Sequence, residues 1–253
     1  MRGSHDGSKR PPLSPSPLYE PYFVLLGTDC RQQSVPHTMN EPAQSVATRL
    51  NDCLAAAGLD LLDEATVTRF AAYCALLLRW NARTNLTAIR DEDGILSRHF
   101  VESIACARAL PPGIATLLDF GSGAGFPGIP IALCRPEIAI TLAESQGKKA
   151  AFLQESVRTL GISARAHSGR AEFLTTRFDC VTLRAVDHMP QAILAATNLI
   201  ASGGWLALLT TEGQLKGLRA ASVAALSWLE PLPLPGSDSR LLAFAQPNGD
   251  PRA

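Results

Sequence analysis

The sequence predicts a Rossmann-like α/β protein with a mostly parallel seven-stranded sheet and an N-terminal helical extension. Three observations carry this prediction. From residue 116 onwards, short apolar runs alternate with helical stretches, which is typical of a parallel sheet covered by helices. The last two apolar runs are joined by Pro-Gly-Ser-Asp, which predicts an antiparallel pair at one edge. Before residue 113 the periodicity is helical only.

The composition is that of a soluble globular chain, and it excludes a collagenous, coiled-coil or largely disordered protein. The 253 residues include 23 Lys+Arg and 23 Asp+Glu, so a nucleic-acid partner needs a local basic face. The six cysteines form no C-x-x-C pair and no metal-ligand spacing, so we expect buried, reduced thiols and no metal. No apolar run approaches the roughly 18 to 20 residues that span a bilayer, and no signal-peptide pattern opens the chain. We therefore expect a cytoplasmic protein with no membrane partner.

The chain divides into four predicted segments. Residues 1–42 hold 7 of the 18 prolines and are predicted to be a disordered leader, in which Met39 is a candidate natural initiator. Residues 43–113 form the helical extension and residues 114–247 form the sheet domain. Residues 248–253 are predicted to be a disordered tail.

Capping residues and apolar periodicity predict the bounds of the helices and strands. Helices are predicted at about 43–57, closed by Gly58, at 63–81, capped by Asp63, and from Asp91 or Asp93 to about residue 110. Strands are predicted at 116–120, 138–143, 164–167, 178–183 and 205–209, with the clearest helices at 149–160 and 190–200. The segments 227–234 and 241–245 form the predicted antiparallel pair.

A glycine-rich loop follows the first strand. Residues 117–128 read LLDFGSGAGFPG, and a helix containing Ile129, Ile131 and Leu133 follows. Alternate glycines let the backbone approach a ligand closely, and the helix offers free N–H groups. About 20 residues on, Glu144 follows the second predicted strand, at a place where an acidic side chain can accept hydrogen bonds from ribose hydroxyls.

Two cofactors fit this loop. Gly123, Gly125 and Gly128 satisfy the dinucleotide pattern G-x-G-x-x-G, which alone is a weak signal. The longer pattern D-x-G-x-G-x-G, beginning at Asp119, favours S-adenosylmethionine, because a carboxylate attracts its ammonium group and repels a pyrophosphate. This interpretation requires Asp119 and Glu144 on the same side of the sheet. A nicotinamide-dependent oxidoreductase remains the alternative.

Two motifs that the sequence lacks argue against two kinds of methyl acceptor. Val181-Thr182-Leu183 leads into Arg184-Ala185-Val186, where enzymes that methylate exocyclic amines carry a Pro-Pro-aromatic loop. No cysteine follows a proline, as carbon-5 methylation of pyrimidines requires. An acceptor with a free lone pair, such as a purine ring nitrogen, needs neither device.

Residues from about 80 to 240 resemble the bacterial small-subunit (16S) ribosomal RNA guanine-N7 methyltransferases of the RsmG/GidB type, which are class I S-adenosylmethionine-dependent enzymes. The resemblance depends on these motifs: Trp80-Asn81, Thr84-Asn85-Leu86-Thr87, Arg98-His99-Phe100-Val101-Glu102-Ser103, GSGAGFPGIP at 121–130, Glu144-Ser145, Gly147-Lys148-Lys149, Gly169-Arg170-Ala171-Glu172 and Leu183-Arg184-Ala185.

The resemblance implies methyl transfer from S-adenosylmethionine to N7 of a guanine in the decoding region of 16S RNA, with free 16S RNA or the 30S subunit as partner. Arg184 is implied as the catalytic residue near the methyl group and the target base. We expect a monomer. The resemblance implies cofactor contacts from Asp119, Gly121, Gly123, Gly125, Phe126, Glu144, Ala171, Glu172 and Arg184, and RNA contacts from Arg98, Lys148, Lys149 and Arg170.

Three positions depart from the family pattern. Val186 replaces an aromatic residue, Thr210-Thr211 stands where a Lys-Gly step is common, and Glu144 replaces Asp. These departures keep open a non-catalytic RNA-binding or ribosome-assembly factor with a vestigial cofactor pocket. Trp80 is interpreted as a core or interdomain anchor, with a base-stacking platform as the alternative. His99 is interpreted as a hydrogen-bonded packing residue, with an approach to the substrate as the alternative. The sequence leaves the modified guanine undefined, and also the choice between free RNA and the 30S particle.

Overall fold

A computed structural model describes residues 45–222 and 224–249. The predicted leader, Met39, the first two residues of the predicted extension and residues 250–253 of the predicted tail lie outside the described residues. The other predicted elements can each be compared with the structure.

Helices form the first part of the described chain. They are α1 (Val46–Ala56), α2 (Glu64–Asn81), the single turn α3 (Glu92–Gly94), and α4 (Val101–Ala109). Ser45 and Asp63 cap α1 and α2, each accepting a hydrogen bond from a backbone N–H three residues on. All three predicted helices are present, and Asp91 caps the third.

The third predicted helix is not uniform. Between α3 and α4 the chain forms a π-helical segment, Ile95–Phe100, which sequence periodicity did not indicate. Arg98, His99 and Phe100 belong to this segment. It leads into α4 without a break, so the predicted helix from Asp91 to about residue 110 has the right extent.

Within residues 45–222 and 224–249, the sheet has eight strands in the order β3-β2-β1-β4-β5-β8-β6, with β7 also paired to β8. Strands β1 to β5 are parallel, and β8 is antiparallel to its three neighbours. The bounds are β1 Thr116–Phe120, β2 Ala139–Glu144, β3 Ala164–Ser168, β4 Phe178–Arg184, β5 Ile200–Thr211, β6 Leu226–Trp228, β7 Leu232–Pro233 and β8 Arg240–Pro247.

The predicted count of seven strands is low by one short strand. The segment 227–234 forms two pieces, β6 and β7, because Pro231 between them has no N–H to donate to β8. Strand β5 begins five residues before its predicted start. The mostly parallel architecture and the antiparallel edge are as predicted.

Helices cover both faces of the sheet. These are α5 (Gly128–Cys134), α6 (Gly147–Leu160), α7 (Met189–Thr197) and α8 (Glu212–Ser222). Helices α1, α2, α4, α5 and α6 share one apolar cluster with Leu117 of β1, whereas α7 and α8 share another with Leu118. Alternation along β1 therefore defines two faces. Helix α8 was not predicted.

The topology brings three strand ends together. Strands β1, β2 and β4 are neighbours, and in parallel strands the carboxyl ends lie at one edge. Asp119 pairs with Leu142, two residues before Glu144, and with Thr182, two residues before Arg184. By alternation these side chains leave the sheet on the face that carries the helical extension. Asp119 and Glu144 are therefore on the same side.

The described cysteines are free thiols. Cys74, Cys106 and Cys180 are buried, as expected, but Cys53 and Cys134 are half-buried, because each lies at the margin of the apolar cluster. Cys30 lies outside the described residues. Among described residues, no group of three or more His, Cys, Asp or Glu side chains could hold a metal ion. In the same part of the chain, helices are too short or too polar to cross a membrane.

Candidate active site

A cavity of about 1040 Å³ opens at the carboxyl ends of β1, β2 and β4. A cavity of this size is in the range of small-molecule sites. The helical extension supplies part of its wall, including Thr87 and His99. Its lining consists of residues 86–88, 120–124, 143–146, 169–172 and 184–188, together with His99, Phe126, Lys149, Gln191 and Ala192.

The glycine loop forms one side of the cavity, and its glycines serve different purposes. Gly123 has φ +56°, and a Cβ built there would find no heavy atom closer than 3.8 Å. Gly125 has φ +92°, but a Cβ there would lie 2.4 Å from Cδ1 of Ile129 and 2.8 Å from the hydroxyl of Tyr73. Gly123 therefore leaves open space beside the cavity, whereas Gly125 permits tight packing against the extension.

Glu144 joins the glycine loop to the start of α6. Its carboxylate accepts hydrogen bonds from the backbone N–H of Gly123 at 2.9 Å and of Gln146 at 2.7 Å, through different oxygens. Each carboxylate oxygen has a further lone pair, and Glu144 lines the cavity. The side chain is therefore held in place while it keeps acceptor capacity for hydroxyl groups.

Arg184 lies at the end of β4 within a buried ionic cluster. Its Nη2 is 2.8 Å from Oε2 of Glu102, whose other oxygen is 2.6 Å from Nη1 of Arg240. Burial raises the pKa of Glu102, and the two arginines partly oppose that rise. Burial also lowers the pKa of Arg184, which Glu102 opposes. Two guanidinium groups share one carboxylate, so the cluster carries one excess positive charge beside the cavity.

His99 connects Arg184 to the loop of the extension. Its Nδ1 is 3.1 Å from Nη2 of Arg184, and its Nε2 is 2.8 Å from Oγ1 of Thr87. The imidazole stacks on the ring of Phe126 with centroids 4.5 Å apart. Burial, with the nearby positive charge of Arg184, lowers the pKa of His99 to about 3. The imidazole is therefore neutral.

Asn81 organises the loop that carries Thr87. The Asn81 side chain accepts from the backbone N–H groups of Leu86 and Thr87 and donates to the carbonyl oxygens of Thr87 and Ile89. Since Asn81 is buried at the end of α2, these bonds fix residues 86–88 against the cavity. This explains the place of an asparagine in the motif Trp80-Asn81.

Comparison with known sequences assigns the chain to a family. The sequence profile of the family described as rRNA small subunit methyltransferase G matches residues 66–229. The chain is also 38% identical over 194 residues to the ribosomal RNA small subunit methyltransferase G of Neisseria meningitidis, covering 76% of this chain and 93% of that protein. The chain belongs to the rRNA small subunit methyltransferase G family.

Other members give the same result. The protein of that name from Stenotrophomonas maltophilia is 40% identical over 199 residues, covering 76% of this chain and 90% of that protein. The Roseiflexus protein of the same name is 46% identical over 135 residues, or 51% of this chain and 58% of its own length. The sequence prediction of the family is confirmed.

Solved structures support the fold. The PH0226 protein of Pyrococcus horikoshii aligns with a TM-score of 0.54 at 11% identity, covering 67% of this chain and 99% of its own. An O-methyltransferase of Agrobacterium tumefaciens, described as predicted, aligns with a TM-score of 0.50 at 20% identity, covering 58% of this chain and 81% of its own. The fold is that of the class I methyltransferases, as the sequence predicted.

Most of the predicted cofactor residues line the cavity, namely Gly121, Gly123, Phe126, Glu144, Ala171, Glu172 and Arg184. Two do not. Gly125 packs against Ile129, and Asp119 is only 1% exposed. The carboxylate of Asp119 accepts bonds from the Thr182 hydroxyl at 2.8 Å and from the Gly128 N–H at 3.2 Å, beneath the loop.

The predicted RNA residues lie around the same cavity or on nearby surface. Lys149 and Arg170 line it, whereas Lys148 and Arg98 are exposed and do not. Lys148 and Lys149 are in the first turn of α6, which contains no acidic residue. Arg170 is also 3.5 Å from Oε1 of Glu172.

The structure gives different positions to Trp80 and His99, the two side chains predicted to have packing roles. Trp80 donates to Oε2 of Glu155 at 3.0 Å and packs edge-on against Phe152, so it anchors the extension to α6 as expected. His99 packs on Phe126, but it also lines the cavity and contacts Arg184. The position of His99 therefore fits the packing interpretation and also its alternative, in which His99 lies near the substrate.

Of the departures from the family pattern, Val186 touches the site and Thr210 does not line it. Val186 lines the cavity, and its Cγ2 lies 3.1 Å from the position of a Cβ on Gly121. The hydroxyl of Thr210 is 3.2 Å from Oε1 of Gln214 in α8.

Sequence reasoning missed Tyr73 and Arg240, and it gave Glu102 no role beyond its place in a family motif. Tyr73 supports the glycine loop, and Glu102 and Arg240 complete the ionic cluster around Arg184. Glu102 carried a signal, because an acidic residue three positions after His99 lies on the same helical face. No sequence signal indicated Arg240, because its partner Glu102 is far away in the chain.

Proposed function

We propose that this protein transfers the methyl group of S-adenosylmethionine to N7 of a guanine in the decoding region of 16S ribosomal RNA. One observation carries the proposal. A single cavity contains an open glycine turn, a fixed carboxylate at Glu144, and the positively charged Arg184 cluster. Family membership supplies the RNA substrate class.

The residues present fit S-adenosylmethionine. Glu144 keeps lone pairs for the two ribose hydroxyls, and the space beside Gly123 admits close contact with the backbone. Ala171 and Glu172 would meet the adenine, and Gly121 and Phe126 the methionine portion. When bound, the cofactor supplies an electrophilic methyl carbon on its sulfonium group.

The protein needs no general base for this transfer, because N7 of guanine already carries a free lone pair. The side chains therefore act by alignment and by electrostatics. His99 is unsuited to proton transfer, since both ring nitrogens are engaged and its pKa is lowered to about 3.

Arg184 would hold the acceptor. Arginine reads the O6 and N7 edge of guanine in nucleic-acid complexes, but a donor at N7 would occupy the lone pair that attacks the methyl carbon. We therefore assign Arg184 to O6 of the target guanine or to a neighbouring phosphate. The excess positive charge of the cluster suits either oxygen acceptor.

The RNA would approach across the basic residues at the cavity mouth. Lys149 and Arg170 line the cavity, and Lys148 and Arg98 extend the charge onto the surface. Lysines in the first turn of α6 oppose the helix dipole, so an anionic partner gives them a favourable role. Because the proposed substrate belongs to the ribosome, we propose that the protein is cytoplasmic, and we also propose a monomer.

Two alternatives predict different results. A nicotinamide-dependent oxidoreductase would bind NAD instead of S-adenosylmethionine, which equilibrium binding separates. A ribosome-assembly factor with a vestigial pocket would bind 16S RNA or 30S particles without methyl incorporation.

The proposal is tested by mapping 16S RNA from cells that lack this protein. We expect mass spectrometry to show one guanine in the decoding region without its N7 methyl group, restored by the wild-type chain. An unchanged modification pattern in the deletion strain would refute the proposal. Restoration by Arg184→Ala at the wild-type level would refute the role assigned to Arg184.

A further inference from the structure

We infer that His99 is a positioning residue that holds the guanidinium of Arg184 at the cavity, with Glu102 as the second support. The inference rests on the proposed function, since it states how Arg184 is oriented toward the acceptor. It gives the helical extension a direct part in methyl transfer.

The hydrogen-bond inventory of Arg184 supports this role. A guanidinium has five N–H donors. Nη2 contacts Oε2 of Glu102 at 2.8 Å and Nδ1 of His99 at 3.1 Å, and Nη1 contacts Oγ of Ser103 at 3.4 Å. Within the described part of the chain, these contacts leave the N–H of Nε and one N–H of Nη1 without a protein partner, and Arg184 lines the cavity. The extension therefore holds the group through Nη2, and two donors remain for a ligand.

The tautomer of His99 follows from its partners. Arginine has no acceptor, so Nδ1 of His99 must accept from Arg184. The single ring proton is then on Nε2, where it donates to Oγ1 of Thr87. A neutral ring with this proton placement is the only form that satisfies both contacts. Burial and the positive charges of Arg184, Arg98 and Arg240 disfavour the imidazolium.

The ring of His99 is itself immobilised. It stacks on Phe126 at 22° between planes, and the guanidinium carbon of Arg184 lies 5.9 Å from the centre of the same Phe126 ring. His99 and Arg184 thus share one aromatic support from the glycine loop. A change in the position of His99 would move the arginine relative to that loop.

The decisive variants are His99→Leu and His99→Asn. Leucine keeps an apolar side chain against Phe126 but removes the acceptor, whereas asparagine places an amide oxygen close to the position of Nδ1. With 30S particles as substrate, we expect His99→Leu to lower kcat by about tenfold or more, with KM for the particle and Kd for S-adenosylmethionine changed by less than about threefold. His99→Asn should recover most of kcat.

A second measurement does not depend on activity. In arginine-labelled protein, a guanidinium held in a fixed plane gives separate ¹⁵N signals for Nη1 and Nη2, and Arg184 is assigned by loss of its signals in Arg184→Lys. We expect separate signals in the wild type and in His99→Asn, and merged signals in His99→Leu. His167→Leu is the matched control, because His167 is half-buried in β3 and does not line the cavity.

The outcomes separate the two claims. Absence of methyl transfer by the wild type would refute the proposed function, while the ¹⁵N signals would still decide the positioning role. Unchanged kcat and unchanged Arg184 signals in His99→Leu would overturn the inference. A rise in KM alone would also overturn it, because that result assigns His99 to direct substrate binding.

Discussion

The hydroxyl of Tyr73 donates a hydrogen bond of 2.5 Å to the carbonyl oxygen of Ala124. Tyr73 belongs to helix α2 and Ala124 to the glycine loop. Tyr73 is fully buried and contacts the rings of Phe100 and Phe126, and burial raises its pKa well above the usual range. The helical extension therefore supports the loop directly.

Tyr73→Phe tests this support. The variant keeps the ring but leaves the carbonyl of Ala124 without its donor, so we expect the free energy of unfolding to fall by about 1 to 2 kcal/mol. Because the loop is affected, S-adenosylmethionine should bind several-fold more weakly, as measured by calorimetry. Thr197→Val is the control, since it removes a buried hydroxyl that donates to Ile193 within α7. Equal cofactor affinity in Tyr73→Phe and the wild type would contradict the role of the extension.

Glu144→Gln should weaken cofactor binding. The amide nitrogen of glutamine cannot accept a hydrogen bond from Gly123 or Gln146, and one acceptor for the ribose is lost as well. We expect Kd for S-adenosylmethionine to rise by about tenfold to a hundredfold, which corresponds to roughly 1.4 to 2.8 kcal/mol. Glu137→Gln, on an exposed loop, serves as the control. Wild-type affinity in Glu144→Gln would exclude this carboxylate from the cofactor site.

Asp119 should make stability depend on pH. Burial raises the pKa of Asp119 to about 6 from an ordinary value of 3.8, although Thr182, Ser122 and Gly128 oppose the rise. The folded state therefore binds this proton more tightly than the unfolded state. The contribution of Asp119 to stability is complete below about pH 4 and is lost as pH rises through about 6, a change of roughly 3 kcal/mol.

Unfolding of the wild type and of Asp119→Asn at several pH values measures this effect. The wild type should lose stability relative to the variant between about pH 4 and pH 6, and the difference should be constant above that range. A difference that is independent of pH would show that Asp119 has an ordinary pKa. Because a cation nearby favours the carboxylate, binding of S-adenosylmethionine near pH 6 should also release a proton in the wild type only.

Lys148 and Lys149 are expected to contact RNA phosphates. The double variant Lys148→Gln/Lys149→Gln should raise KM for 30S particles and reduce the slope of log affinity against log salt by roughly one unit or more. Its affinity for S-adenosylmethionine should change little by comparison. Lys216→Gln in α8 is the matched control, since Lys216 is exposed and does not line the cavity. An unchanged salt slope in the double variant would remove these lysines from the RNA surface.

Much of the fold was predictable from local pattern. Helices separate β1 from β2, β2 from β3 and β4 from β5, as the alternating pattern predicted. Asp63 was predicted as the N-cap of α2, whereas Ser45, the N-cap of α1, was not. The π-helical segment was not predictable, because its residues carry ordinary helical preference and its hydrogen bonds depend on tertiary packing. Helix α8 was not predicted, because Gly213 and Gly217 lower the helical preference of its sequence.

The site was predictable where its residues follow strands. Glu144 and Arg184 end β2 and β4, so topology alone brings them to one cavity. Tyr73 and Arg240 were not predictable, since each acts on a residue more than 50 positions away in the chain. The burial of Asp119 was also not predictable. The spacing of the glycine motif predicts that a carboxylate lies near the loop, but it does not predict which hydrogen bonds that carboxylate accepts.

Arg184→Ala separates binding from methyl transfer. The cofactor contacts of the glycine loop and Glu144 do not require the guanidinium, so Kd for S-adenosylmethionine should change by less than about threefold. The rate of methylation should fall by about a hundredfold or more, in the range found for lost electrostatic contacts at reacting groups. Arg158→Ala, on the exposed side of α6, controls for the loss of one positive charge.

The central claim is tested most directly with S-adenosylmethionine that carries a CD₃ group and with 30S particles or 16S RNA from cells that lack this protein. After digestion to nucleosides, the account predicts labelled 7-methylguanosine at one molecule per RNA with the wild type and almost none with Arg184→Ala. Label in any other nucleoside, no label with either substrate, or equal label with Arg184→Ala would contradict it.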